Sequence, residues 1–188
     1  MGRRIARGHV QVPGTWTWPL RLCVLAAVAA VVLSGCWGSS GASTFEDAQA
    51  GLSDRLPGGW RIVEARPTSV VDPRQLLTVA TFPLRQSRPD PNCAPRTARA
   101  QMPADGALVQ IVEYTRRLPA RLPRRPPRLE LPRRPVELEC TGLGYTVEFA
   151  EHGRRLQAVA LVGARAGERR RQEILELLNG LRVAPRGD

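Results

Sequence analysis

The chain has 188 residues and a formal net charge of +11; 43% of it is hydrophobic and 5% aromatic, with two His and four Cys. That composition excludes a collagen, a coiled coil, a zinc-finger array and a multi-pass membrane protein, and the length fits one domain plus a targeting segment. All 28 basic side chains are Arg, so every cation is a planar, forked guanidinium suited to carboxylates and phosphates.

Residues 1–21 carry Arg3, Arg4, Arg7 and Arg21 and no acid, and a run of 12 apolar residues at 22–33 leads to Ser34, Gly35 and Cys36. A basic stretch followed by a short apolar one is the layout of an export signal. A spanning helix needs about 20 apolar residues, so a cleaved leader is expected over 1–35. Recruiting Trp16, Trp18 and Leu20 across Arg21 gives the alternative, a single-pass anchor with its Arg-rich end inside.

Leu33-Ser34-Gly35-Cys36 resembles the lipobox of bacterial lipoproteins, in which the thiol takes a diacylglyceryl group and the Cys becomes the mature N-terminus. Small residues before the Cys let a membrane peptidase reach the backbone beside the thioether. The resemblance implies lipidation at Cys36, acyl chains such as palmitate, and anchorage on the outer face of the cell membrane. With Cys23 lost in the leader and Cys36 lipidated, Cys93 and Cys140 remain as an even pair outside the cytoplasm, where a disulfide is expected. Closing a loop of nearly 50 residues contributes about 4 kcal/mol on the chain-entropy account. A metal site fails on ligand supply, since His152 alone joins the two Cys and no C-x-x-C occurs; neither metal nor cofactor is expected.

Residues 36–42 (CWGSSGA) read as a flexible tether. From Ser43 a capping box, Ser43-Thr44-Phe45-Glu46, and the spacing of Phe45, Ala48, Gln49, Leu52 and Leu56 predict a helix, stopped by Pro57-Gly58-Gly59. Trp60 and Ile62 alternate with Arg61 and Val63, and residues 76–82 are apolar and β-branched, so two strands are predicted there. Residues 83–106 carry repeated Pro and turn formers around Cys93 and read as a long loop pinned by that Cys. A central strand is predicted at 107–115, and further extended pieces at 136–140 and 145–149. Glu151-His152-Gly153 reads as a hairpin turn returning into 155–162. Ile174, Leu175, Leu177, Leu178 and Leu181 form the apolar stripe of a last helix, ended by Asn179-Gly180.

The sum is one α+β domain over 43–188, mostly an antiparallel sheet of about five strands, with an N-terminal and a C-terminal helix on one face. That order of elements is similar to small secreted proteins of uncharacterised function from high-GC Gram-positive bacteria.

Residues 116–135 (RRLPARLPRRPPRLELPRRP) hold eight Arg, six Pro and one Glu, a local charge of +7. Subtracting the four leader Arg from the chain total of +11 also leaves +7, so the rest of the exported domain is near neutral. Dense Pro prevents a helix and predicts an irregular or polyproline arm with solvated guanidiniums. Arg124, Arg125, Arg128, Arg133 and Arg134 are the candidate contacts to an anionic partner outside the membrane: lipid headgroups, wall polymer or an acidic protein. A plain solvated loop is the alternative. Nucleic acid is not expected, because no aromatic residue interleaves with the Arg to stack on bases.

Catalytic patterns are sparse. No G-x-S-x-G accompanies any Ser, and His152 reads as a turn residue. Glu137 and Glu139 share one face of an extended piece, and with Glu148 they are the carboxylates an envelope enzyme would use if a pocket enclosed them. Trp60 reads as core. The expectation is a non-catalytic binding or accessory module.

Overall fold

Period-two alternation, not helical spacing, organises the first segment of the domain. In the computed structural model, which describes residues 41–63, 72–85, 94–116, 121–138 and 142–186, the strands β1 (Ser43–Asp47) and β2 (Leu52–Leu56) form an antiparallel hairpin. The helix expected here is therefore corrected. Phe45, Leu52 and Leu56 are buried as that helix would have buried them, because their spacing also suits two strands folded back on each other. The turn decides between them: the Asp47 carboxylate accepts the Ala50 N–H at 2.8 Å, and Gly51 sits at φ +62, a conformation open to glycine.

The main sheet follows. β3 (Arg61–Ile62) pairs with β4 (Arg74–Ala80), and β4 pairs with β5 (Ala107–Glu113), with the helix α1 (Ala94–Gln101) between β4 and β5 in sequence. β6 (Val136–Leu138), β7 (Gly142–Glu151) and β8 (Arg154–Val162) complete six antiparallel strands in the order β3-β4-β5-β8-β7-β6. β5 is central and buried along its whole length, as its apolar sequence predicts. His152 at φ +47 and Gly153 at φ +75 make the two-residue turn between β7 and β8, the conformation that matches strand twist. Trp60 and Val63 are buried while Ile62 is exposed, so the alternation read from Trp60 does not run through the two-residue β3.

The helix α2 (Gly167–Gly180) and the strand β9 (Arg182–Val183) close the chain, β9 adding to β2 in a second, three-stranded sheet. Val79, Val109, Ala160 and Tyr145 lie in one cross-strand row of the main sheet. That face joins one core with Ile174, Leu177 and Leu178 of α2 and with Phe45, Leu52, Leu56 and Val183 of the small sheet. Each such aliphatic side chain contributes about 1.5–3 kcal/mol by leaving water. The opposite face clusters Ala80, Leu108 and Leu161 with Phe82 and with Ala98 of α1. Beyond that cluster it is polar, with Gln110 donating to Gln75 and Gln157 to Glu148.

The domain is thus α+β with antiparallel sheets and two helices, but with nine strands among the described residues instead of about five. The helix α1 lies inside the segment expected as a loop, where Ala98 supplies an apolar contact and Arg99 donates to the Val162 carbonyl at 2.9 Å. Cys36, Cys93, Cys140 and the leader lie outside the described residues. Among the described residues no helix is long and apolar enough to cross a membrane.

Candidate anion-contact sites

The Arg/Pro segment is irregular, as its Pro content dictates, yet it is fastened to the domain. Leu129 and Leu131 are buried in the main core. Asn179 of α2 grips the backbone between them from both sides, its Oδ1 accepting the Leu129 N–H at 2.7 Å and its Nδ2 donating to the Leu129 carbonyl at 3.2 Å. Pro123 and Arg125 exchange backbone hydrogen bonds with Ala150 of β7, and Arg171 donates to the Pro132 carbonyl while lying over the Tyr145 ring at 4.8 Å. The segment is a strap across α2 and the sheet.

Arg125 is what ties it down. The last turn of α2 contains no basic residue, so its carbonyls present the negative end of the helix dipole without a cation of their own. The Arg125 guanidinium supplies one from outside the helix, donating to the carbonyls of Leu178 and Leu181 at 2.6 Å each. It also pairs with Glu151 at 2.8 Å and lies over the Phe149 ring at 5.4 Å. The expectation of solvated guanidiniums is therefore corrected at Arg125. Arg124, Arg128, Arg133 and Arg134 are exposed. Arg124, Arg125, His152 and Arg182 line a broad cavity of about 990 Å³ at the C-terminal end of α2.

A second basic site was not legible in the sequence. Glu113, the last residue of β5, is fully buried on the core face, and three guanidiniums converge on it. Arg154, itself buried, takes both carboxylate oxygens, Nε to Oε1 at 2.9 Å and Nη2 to Oε2 at 3.2 Å, and its Nη1 reaches the carbonyls of Gly51 and Ala184. Arg74 reaches Oε2 at 3.0 Å and Arg186 reaches Oε1 at 2.9 Å. Burial pushes the Glu113 carboxyl up, but the hydrogen bonds from Arg154, Arg74 and Arg186 outweigh it and hold the group down at about 2. Arg74, Arg154 and Arg186 line one cavity of about 440 Å³.

Asp54 of β2 is the opposite case. It is buried with Oδ1 accepting the Arg55 N–H, and Oδ2 has no hydrogen-bond partner. It faces Gly180 at the C-terminal end of α2, where a Cβ would stand 2.5 Å from Oδ1. Burial raises its carboxyl from 3.8 to about 6, against the opposing pull of the Arg55 N–H and the Arg125 charge.

Of the other residues the sequence singles out, His152 is exposed at its hairpin turn and Trp60 is buried, its Nε1 donating to Glu173 at 3.0 Å. Glu137 and Glu148 are exposed, and Glu139 lies outside the described residues. Glu113 carries no signal in the sequence because it ends an apolar strand, and its partners come from positions 74, 154 and 186, which only folding brings together. Compared with known proteins, the chain matches no family model, no curated protein and no solved structure.

Proposed function

We propose that the chain is a membrane-anchored lipoprotein of the cell envelope, lipidated at Cys36 and acting as a non-catalytic binding or accessory module through its Arg/Pro strap. The observation that carries the contact surface is the seating of the strap. With Leu129 and Leu131 in the core and Arg125 tied to α2, Arg124, Arg128, Arg133 and Arg134 stand on an ordered backbone. Ordering that precedes binding removes an entropy cost that a floppy arm would meet on contact. Each Arg near an anionic surface contributes about 1 kcal/mol, so four reinforce a lipid anchor by roughly three orders of magnitude at low salt. Arg125 serves as the fastening, not as a contact.

Two measurements test this reading. The intact mass of the membrane-extracted protein is expected to equal residues 36–188 plus acyl chains, whereas a full-length mass replaces the lipid anchor with a single-pass one. For the strap, residues 40–188, which form a compact unit, are sedimented with phosphatidylglycerol vesicles. Binding is expected at low salt, with loss in high salt and in the variant carrying R124S, R128S, R133S and R134S. Equal sedimentation with phosphatidylcholine vesicles, or no effect of the four substitutions, refutes the strap as the contact.

A further inference from the structure

Glu113 needs one arginine and has three. Arg154 alone meets both of its oxygens in a fork, and its own burial makes that pair the structural one. Arg74 and Arg186 add two more positive charges against each other and against Arg154, an arrangement that weakens the fold unless something else balances it. Their side chains are about half exposed, at 48% and 56%, and each uses only Nη2 on Glu113. The rest of each guanidinium is left for another acceptor, because an arginine carries five donors.

Both line the cavity of about 440 Å³, whose other walls include Gln49, Gly51 and Thr115. Among the described residues, three cations gather at this cavity around the single buried carboxylate of Glu113, an excess of positive charge. The nearby Asp72 keeps its charge, its carboxylate accepting the N–H and the hydroxyl of Thr115, and offsets only part of that excess. Arg154 is fixed by the carbonyls of Gly51 and Ala184, so the cluster has a rigid floor and two adjustable walls.

We propose that this cluster binds a phosphomonoester dianion, with Arg74 and Arg186 gripping its oxygens and Glu113 and Arg154 positioning them. A doubly charged anion complements the excess of positive charge, and the three free oxygens around one phosphorus can accept from the donors that Arg74 and Arg186 do not spend on Glu113. The cavity also has room for the alcohol portion of the ester. The phosphate comes either from a soluble ester or from a phosphatidic-acid headgroup.

The test uses the full chain in neutral detergent, titrated calorimetrically with inorganic phosphate and with glycerol 3-phosphate. Saturable one-to-one binding is expected, weakened at least about tenfold by Arg74→Gln with Arg186→Gln. The strap variant R133S with R134S is expected to bind unchanged, which keeps this site separate from the strap proposal. On the unsubstituted chain, arginine modification by phenylglyoxal is read by peptide mass, so the result survives if the double variant does not fold. Arg74 and Arg186 are expected to be protected by the soluble ligands inorganic phosphate and glycerol 3-phosphate, and Arg133 not. Protection by glycerol 3-phosphate assigns a soluble ester, and protection only by vesicles containing phosphatidic acid assigns the headgroup. No saturable binding up to about 10 mM together with unprotected Arg74 and Arg186 overturns the proposal.

Discussion

Replacing Asp54 by Asn is expected to stabilise the protein at neutral pH. The carboxyl is buried, one of its oxygens has no partner, and burial raises it from 3.8 to about 6. A raised carboxyl means that the folded state holds a proton the unfolded chain has lost, so stability falls as pH climbs from about 4 to 6. The full span is worth about 3 kcal/mol, since each tenfold change in proton affinity is about 1.4 kcal/mol. Asn keeps the shape and an oxygen for the Arg55 N–H but carries no charge, so the difference between variant and wild type should be near zero below pH 4 and plateau above pH 6. Urea unfolding followed by fluorescence of the buried Trp60, repeated at half-unit pH steps, measures this directly. At pH 7 the midpoint should rise by about 1 M or more, taking usual denaturant slopes. Equal midpoints at pH 7, or a difference that does not change between pH 4 and 6, would refute the argument that Asp54 carries an uncompensated buried charge.

Glu113 reverses the sign. Its carboxyl is held at about 2 against an ordinary 4.5, so its contribution is complete above pH 4.5 and is lost as pH falls toward 2, about 3 kcal/mol in all. Glu113→Gln strands the buried Arg154 and is expected to cost about 3–5 kcal/mol at pH 7, measured by the same unfolding experiment. Arg125→Gln removes the ion pair with Glu151 and the cation at the end of α2, for a loss of about 2–3 kcal/mol, and Arg125→Lys should not restore it, because an ammonium lacks the fork that meets two carbonyls and a carboxylate. Amide exchange in the last turn of α2 should accelerate in both. Leu129→Ala should cost about 2–5 kcal/mol and loosen the strap, which limited trypsin digestion reads as faster cleavage after Arg128 and Arg133.

The strands of the main sheet were largely readable because β5, β7 and β8 carry unbroken apolar or alternating patterns, and alternation is a property of the chain itself. The stripe of Ile174, Leu177 and Leu178 announced α2 for the same reason, and His152-Gly153 announced its turn. The first segment is not legible in the sequence because positions 45, 52 and 56 satisfy a helix and a hairpin equally, and the choice rests on the Asp47 hydrogen bond and the φ of Gly51. Net charge located the strap, but composition treats eight Arg alike; only packing separates Arg125, spent on the carbonyls of α2, from the four that face outward.

Sequence alone therefore determined the local quantities: the β-rich pattern, the closing helix and the place of the positive charge. Tertiary structure decided what depends on distant residues meeting: which Arg caps a helix, which carboxylate is buried with three guanidiniums and which is buried with an oxygen left unpartnered. The physical reason is that periodicity and propensity act over a few residues, whereas burial sets the energy of a charge, and burial is defined only once residues 54, 113, 125, 154 and 186 share one folded surface.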